Sequence, residues 1–215
     1  MKQLYTIGCS ILSLDDFIRN LKSNGINVVA DVRSVPYSRT TPQFNRELLK
    51  ERLKKERIIY GDFSKEFGAR RTEFNAYKNN QVSFEKTKKL PEFMKGIQRI
   101  QNGLNMGYSI ALMCTEKNPL ECHRFSLVSR GIFEKTGIQA IHILADTSFV
   151  STEQLEKEII EKFGLQEDLF SDSSERLKEA YELLNKKIGY ILPTQNSIEM
   201  EKEAYTYDKD IYMFG

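Results

Sequence analysis

The chain has 215 residues, 40% hydrophobic and 29% charged, with a formal net charge of +2. That composition fits a globular α/β-sized protein, and the absence of any apolar run of about eighteen residues argues against a membrane span. The opening Met1-Lys2-Gln3-Leu4-Tyr5-Thr6-Ile7-Gly8 lacks the apolar core of an export signal, so a cytoplasmic protein is expected, with its three cysteines serving as thiols, ligands or packing residues rather than disulfides.

Residues 3–7 read as a first strand ending at Gly8-Cys9-Ser10. Leu14, Phe17, Ile18 and Leu21 recur at helical spacing, with Ser13 as N-cap, Asp15 and Asp16 in the first turn and Gly25 as the stop. The β-branched run 26–32 reads as a buried strand and completes a right-handed βαβ unit. Residues 33–44 form a long loop rich in Pro, Ser, Thr and Arg, a length that suggests function. The spacing then predicts a helix over 45–57 with Leu48, Leu49 and Leu53 inward, a short strand at 58–60 and an irregular basic stretch over 61–83. A helix over 84–102 is expected to start or kink at Pro91 and to be closed by Gly103 and Gly107.

A central strand (108–113), a helix (122–135) and a strand (139–144) follow. Beyond them come helices at 151–163 and 175–188, the second behind Asp172-Ser173-Ser174-Glu175 in capping-box order. The last stretch, with Pro193, Tyr205, Tyr207, Tyr212 and Phe214, reads as a tail or a docked arm. The expected fold is α/β and three-layered, a mostly parallel sheet of about five strands with helices on both faces. That domain spans 1–150, and 151–215 forms a helical C-terminal appendage and polar tail. Charge is unevenly spread: residues 46–99 hold fifteen Lys/Arg against eight Asp/Glu, and 151–215 hold eight against fifteen. Solvated helix faces account for most such asymmetry; an anionic partner, or attraction between the two segments, is the sharper explanation.

Chemistry concentrates in Met113-Cys114-Thr115-Glu116-Lys117-Asn118-Pro119-Leu120-Glu121-Cys122-His123-Arg124. Cys122 and His123 would sit at a helix N-terminus, where unpaired N–H groups and the dipole favour thiolate. In an open parallel sheet, ligands bind beyond the carboxyl ends of the strands. Cys9-Ser10, Asp31 with Arg33, and Cys114 with Glu116 would all meet on that edge. Buried packing is the bland alternative for each cysteine. Asp31–Arg33 and Glu116–Arg124 pairs that merely hold loops are the bland alternative for the arginines. His142, in an apolar strand, reads as a satisfied core histidine, and Tyr37, Phe44 and Tyr60 as walls.

Four patches resemble the family called domain of unknown function 488. They are Thr6-Ile7-Gly8-Cys9-Ser10, Asp31-Val32-Arg33-Ser34-Val35-Pro36-Tyr37-Ser38-Arg39, Phe67-Gly68-Ala69-Arg70-Arg71, and the Cys114-to-Arg124 run with its distant Ile141-His142-Ile143 strand. The resemblance implies the fold and the site, in an enzyme or nucleic-acid-associated protein. The family pattern has histidine after Gly8, where this chain has Cys9, so a role needing imidazole does not carry over there.

The leading expectation is a cysteine-dependent enzyme acting on an anionic, phosphate-bearing substrate, a nucleotide or nucleic acid. Cys122 or Cys114 would attack, Glu116 or His123 would move protons, and Arg33, Arg39 and Arg124 would hold the anion, with Gly8, Cys9, Ser10, Asp31 and Ser38 around it. The spacing is not the Cys-x5-Arg of cysteine phosphatases. A zinc site of Cys9, Cys114, Cys122 and His123 is the second expectation, although the short Cys-x2-Cys knuckle is missing. A non-catalytic nucleic-acid-binding module, resting on the basic middle, is the third.

Overall fold

In the computed structural model, which describes residues 3–10, 12–165 and 172–193, the chain opens with β1 (Leu4–Gly8), α1 (Leu14–Ser23) and β2 (Val28–Asp31). Then come α2 (Arg46–Lys55), β3 (Ile59–Asp62), a short α3 (Ser64–Phe67), the hairpin strands β4 (Tyr77–Lys78) and β5 (Gln81–Val82), and α4 (Phe84–Thr87). Next are α5 (Pro91–Asn105), β6 (Ile110–Cys114), a π-helical turn (Arg124–Ser129), α6 (Arg130–Thr136), β7 (Ala140–Ile143) and β8 (Phe149–Ser151). Helices α7 (Thr152–Lys162) and α8 (Ser173–Ile188) end the described chain. The C-terminal aromatics Tyr205, Tyr207, Tyr212 and Phe214 lie outside the described residues.

Strand order is β3-β2-β6-β1-β7-β8. Every pairing in this six-stranded sheet is parallel except that of β7 with β8. The fold is α/β, as expected, with six strands instead of five; β8 is too short to announce itself by alternation. Side chains alternate between the sheet faces. Ile110, Leu112 and Cys114 join the core under α5 and the π-helical turn, while Ala111 and Met113 join the core under α1 and α2. A third cluster, built on Leu120 and Phe125, seats α7 and α8. Because β8 spans residue 150, the C-terminal extension begins inside the sheet. No helix among the described residues is long and apolar enough to cross a membrane.

Several local expectations need correction. Leu49 and Leu53 are buried four residues apart, but Leu48, about 100° round the helix from Leu49, is 53% exposed. The helix expected over 84–102 is two helices, because Leu90 is extended (φ −68°, ψ 142°) and Pro91 opens α5, as the clash before proline dictates. Gly103 lies inside α5 and does not close it; a Cβ there would come 2.9 Å from Ile110 Cδ1. Gly107, at φ 99°, makes the turn. Six of the fifteen cations in the basic middle pair with its own acids, as in Arg46–Asp62, Arg52–Glu56 and Arg71–Glu73. Neutral hydrogen bonds join it to α8, from Gln81 to the carbonyls of Lys186 and Gly189 and from Asn185 to that of Val82.

His142 is indeed a satisfied core histidine. Its Nδ1 meets Thr6 Oγ1 at 2.9 Å and its Nε2 meets Thr152 Oγ1 at 3.1 Å. Burial, with the charge of Arg124, pulls its pKa from 6.5 to about 3. The unfolded chain therefore binds a proton that the folded chain refuses, so stability falls as pH drops through 6.5 and the loss is complete below about 3. Between pH 7 and pH 5 the wild type should lose about 2 kcal/mol more than His142→Gln in urea unfolding. Equal slopes for the two proteins would refute this assignment.

Candidate active site

The three neighbouring strands β2, β6 and β1 end side by side, and their ladder continues into the loops. Cys9 N–H donates to Cys114 O (3.0 Å), Ser10 N–H to Thr115 O (2.9 Å) and Val32 N–H to Met113 O (3.0 Å). Segments far apart in sequence thus leave the sheet from one edge, where an open parallel sheet binds its ligands. Gly8 lies opposite Cys114, and a Cβ on it would fall 2.0 Å from Glu116 O. The loop after β6 can cross the end of β1 only over a residue without a side chain. Arg124, wholly buried, fixes that loop by donating from Nη1 to Glu116 O (2.5 Å) and from Nη2 to Lys117 O (3.1 Å). Asn118 then accepts from Leu120 N–H at 2.9 Å and starts the 3-10 turn Pro119–Glu121, which delivers Cys122 in extended conformation.

Cys122, 2% exposed, and Cys114, 3% exposed, face each other beneath this loop. The sulfurs and His123 Nδ1 all lie within 4.8 Å of one another. His123 Nε2–H donates to Val32 O at 2.9 Å, which turns Nδ1 toward Cys114 (3.9 Å) and Cys122 (4.0 Å). The N–H of Arg124 points at the Cys122 sulfur from 3.4 Å. Cys114 has one thiol proton, with Glu116 Oε2 at 3.1 Å and the Cys122 sulfur within 4.8 Å as its two possible acceptors. Burial opposes ionisation of Cys122, but Cys114 as donor, the Arg124 guanidinium and His123 together hold it well below the usual thiol range. The hydrogen bond to Cys122, reinforced by burial, pushes Cys114 up and keeps it protonated. Burial also resists charge on His123, yet the Cys122 sulfur raises its pKa. Glu116 is raised too, by burial and then by Cys122. The shifts thus favour charge on Cys122 and His123 and disfavour it on Cys114 and Glu116.

The remaining expected residues divide. Asp31 and Arg33 are buried as a bidentate pair, Nε–Oδ1 2.9 Å and Nη2–Oδ2 2.6 Å. Arg33 also donates to Phe44 O (2.8 Å), and Tyr60 OH donates to Asp31 (2.9 Å). Both arginines nearest the thiols are thus engaged with the protein, and Arg124 pairs with the backbone of Glu116, not with its carboxylate as the sequence suggested. Cys9 does not join the cluster. It packs with Ile7 on the α1–α2 side of the sheet, and burial pushes its thiol up to about 12. Ser10 is half-buried, Arg39 is exposed, and Ser38 forms a turn by accepting from Thr40 and Thr41 N–H. Phe44 is buried edge-on to Phe17, whereas Tyr37 is 45% exposed and donates to Glu47.

Sequence reasoning missed two contributors. The Val32 carbonyl orients His123, and Ser34 Oγ accepts from Arg70 N–H at 2.8 Å, docking the 67–71 loop. Gly68 was the available signal for the second, since a Cβ there would lie 3.0 Å from Ser34 Cα. The family model described as "Domain of unknown function DUF488" matches residues 13–130, more than half of the chain. No curated protein and no solved structure matches the chain.

Gly8→Ala should displace the Glu116 carbonyl that Arg124 holds, at a cost on the order of 1–3 kcal/mol. Urea unfolding and thiol accessibility report this together; an unchanged midpoint with equally shielded cysteines would show that the close approach is unimportant.

Proposed function

The chain belongs to the DUF488 family, whose description names no activity, and we propose from its site that it is a cysteine-dependent enzyme acting on an anionic, phosphate-bearing substrate of the nucleotide or nucleic-acid kind. Cys122 is its nucleophile. The observation that carries this reading is the position of the Cys122 sulfur, 3.4 Å from the Arg124 N–H and 4.0 Å from His123 Nδ1. A thiolate held by a helix-starting N–H and an imidazolium is the usual form of an activated cysteine. In this scheme Cys122 attacks the electrophilic centre, while the protonated Cys114–Glu116 pair supplies a proton to the leaving group. Glu116 is an exposed residue whose carboxylate lies 3.1 Å from the Cys114 sulfur. An anionic substrate accords with the excess of Lys and Arg over 46–99. The compartment proposed is the cytoplasm, where three free thiols remain reduced.

A second reading has its own support. Cys114, Cys122 and His123 present two sulfurs and a nitrogen within 4.8 Å of one another. The other ring nitrogen of His123 is tied to a backbone carbonyl, as in most metal-ligating histidines. Three such donors would suit zinc with one position open, and Cys9 is not among them.

Limited iodoacetamide labelling with peptide mapping, with and without a chelator, separates the two. The thiolate reading expects selective labelling of Cys122 that persists below neutral pH, where an ordinary thiol is protonated, and its loss in Cys122→Ser; sluggish labelling of all three cysteines under both conditions sinks it. The zinc reading expects about one equivalent of metal, lost in Cys114→Ser. Less than about a tenth of an equivalent in the purified wild type removes it.

A further inference from the structure

A cavity of about 330 Å³ is lined by Ser34, Ser64, Lys65, Arg70, Arg71 and Thr72, with Glu73 and Glu92 at its wall. Its volume falls at the small end of ligand pockets, about 300–1,000 Å³. Most of its charges are already matched. Arg71 is buried against Glu73 (2.6 Å) and the carbonyls of Lys65 (2.7 Å) and Glu66 (3.2 Å), and Glu92 pairs with Lys95 at 2.5 Å. Lys65 and Arg70 are different. Both are exposed, and among the described residues neither has a carboxylate within 4.0 Å. The cavity therefore carries two unmatched positive charges.

The wall is held in shape. Arg70 N–H donates to Ser34 Oγ (2.8 Å), and its guanidinium lies over the Tyr190 ring, 5.1 Å from the centroid. That stacking orients the planar fork without neutralising it. Ser34 Oγ accepts from Arg70 and so keeps its own proton to donate. Ser34 stands two residues beyond Val32, whose carbonyl positions His123. One loop therefore carries both the imidazole's anchor and a wall of the cavity.

We propose that this cavity is the anion subsite of the candidate active site and takes a terminal phosphate monoester, with Lys65 and Arg70 as its charged ligands and Ser34 as a hydroxyl donor. The proposal rests on the cysteine-enzyme reading for its link to chemistry, and it relocates the phosphate from Arg33 and Arg124, which the fold consumes, to the two cations it leaves unmatched. A monoester is favoured over a nucleic-acid backbone because the two cations line one small concave site instead of forming a stripe that tracks successive phosphates.

Binding is tested on the full chain by backbone-amide NMR, titrating inorganic phosphate and adenosine 5′-monophosphate, with adenosine as the uncharged control and a hydroxyl-ended oligothymidylate as the phosphodiester arm. The expected result is that phosphate and the monophosphate shift the Ser34 and Arg70 signals while adenosine does not. Lys65→Ala and Arg70→Ala should each weaken binding at least about tenfold, and Arg70→Lys less than Arg70→Ala. The spectra themselves report whether each variant is folded. Iodoacetamide labelling of Cys122 without phosphate should be the same in all of them, so failure of the thiol reading and failure of the subsite are read separately. Absent shifts at Ser34 and Arg70, or full affinity in the Lys65→Ala/Arg70→Ala double variant, would overturn the proposal. So would tighter binding of the oligothymidylate through the same two residues.

Discussion

The buried guanidinium of Arg124 is the fixed point of the molecule. A charge with no exposed surface costs several kcal/mol unless its hydrogen bonds are made, and Arg124 makes two of them to the carbonyls of Glu116 and Lys117. Those carbonyls can reach it only because the loop folds over the end of β1, where Gly8 leaves room. From that geometry the rest follows in sequence. Asn118 starts its turn, Cys122 emerges extended, Arg124 N–H meets the Cys122 sulfur, and His123 is turned so that one nitrogen reaches β2 and the other reaches the thiols. The same positive charge lowers the pKa of Cys122 and helps to keep His142 neutral. One side chain thereby shapes the loop and sets the electrostatics on both sides of it.

Much of this was legible in the residues themselves. The βαβ periodicity of 3–32 and the apolar run before Cys114 were enough to infer a parallel sheet and to place three loops on one edge. Ser13 as a cap and Pro91 as a helix start are local effects and came out as expected. Cys9 shows where such reasoning ends. Its position along the chain is right, but the face it takes depends on the phase of β1, in which Leu4 and Ile7 already belong to opposite cores. Strand phase is a tertiary property, decided by which side chains the two helical layers bury. Leu48 failed for the related reason that three leucines within six positions cannot all share one helix stripe.

The arginines were the least legible. A guanidinium that will bind an anion and one that will hold a carbonyl look identical in sequence. Arg33 and Arg124 stand in the motif-rich patches and are spent on Asp31, Phe44, Glu116 and Lys117. Arg70 stands in a patch that drew less notice, and it lines a cavity, with no carboxylate within 4.0 Å of it among the described residues. The difference lies in long-range docking, where Gly68 brings its loop against Ser34 and the C-terminal segment brings Tyr190 beneath the guanidinium. None of those contacts is local in sequence.

The π-helical turn from Arg124 to Ser129 has a consequence for how this chain tolerates length changes. A π turn accommodates one residue more than the α-helix it interrupts. Removing a single residue from it would leave a regular helix with every hydrogen bond intact, so the loss would look harmless locally. Because the wide turn holds its extra residue within the same rotation, the N-terminal side would keep its phase, whereas the same deletion inside α6 would turn that side by roughly 100° about the helix axis. After a deletion inside α6, Phe125 would leave the ring of His142, and the Cys122–His123 corner would swing off the sheet edge. The wide turn acts as a spacer that keeps two helical registers in phase with one sheet.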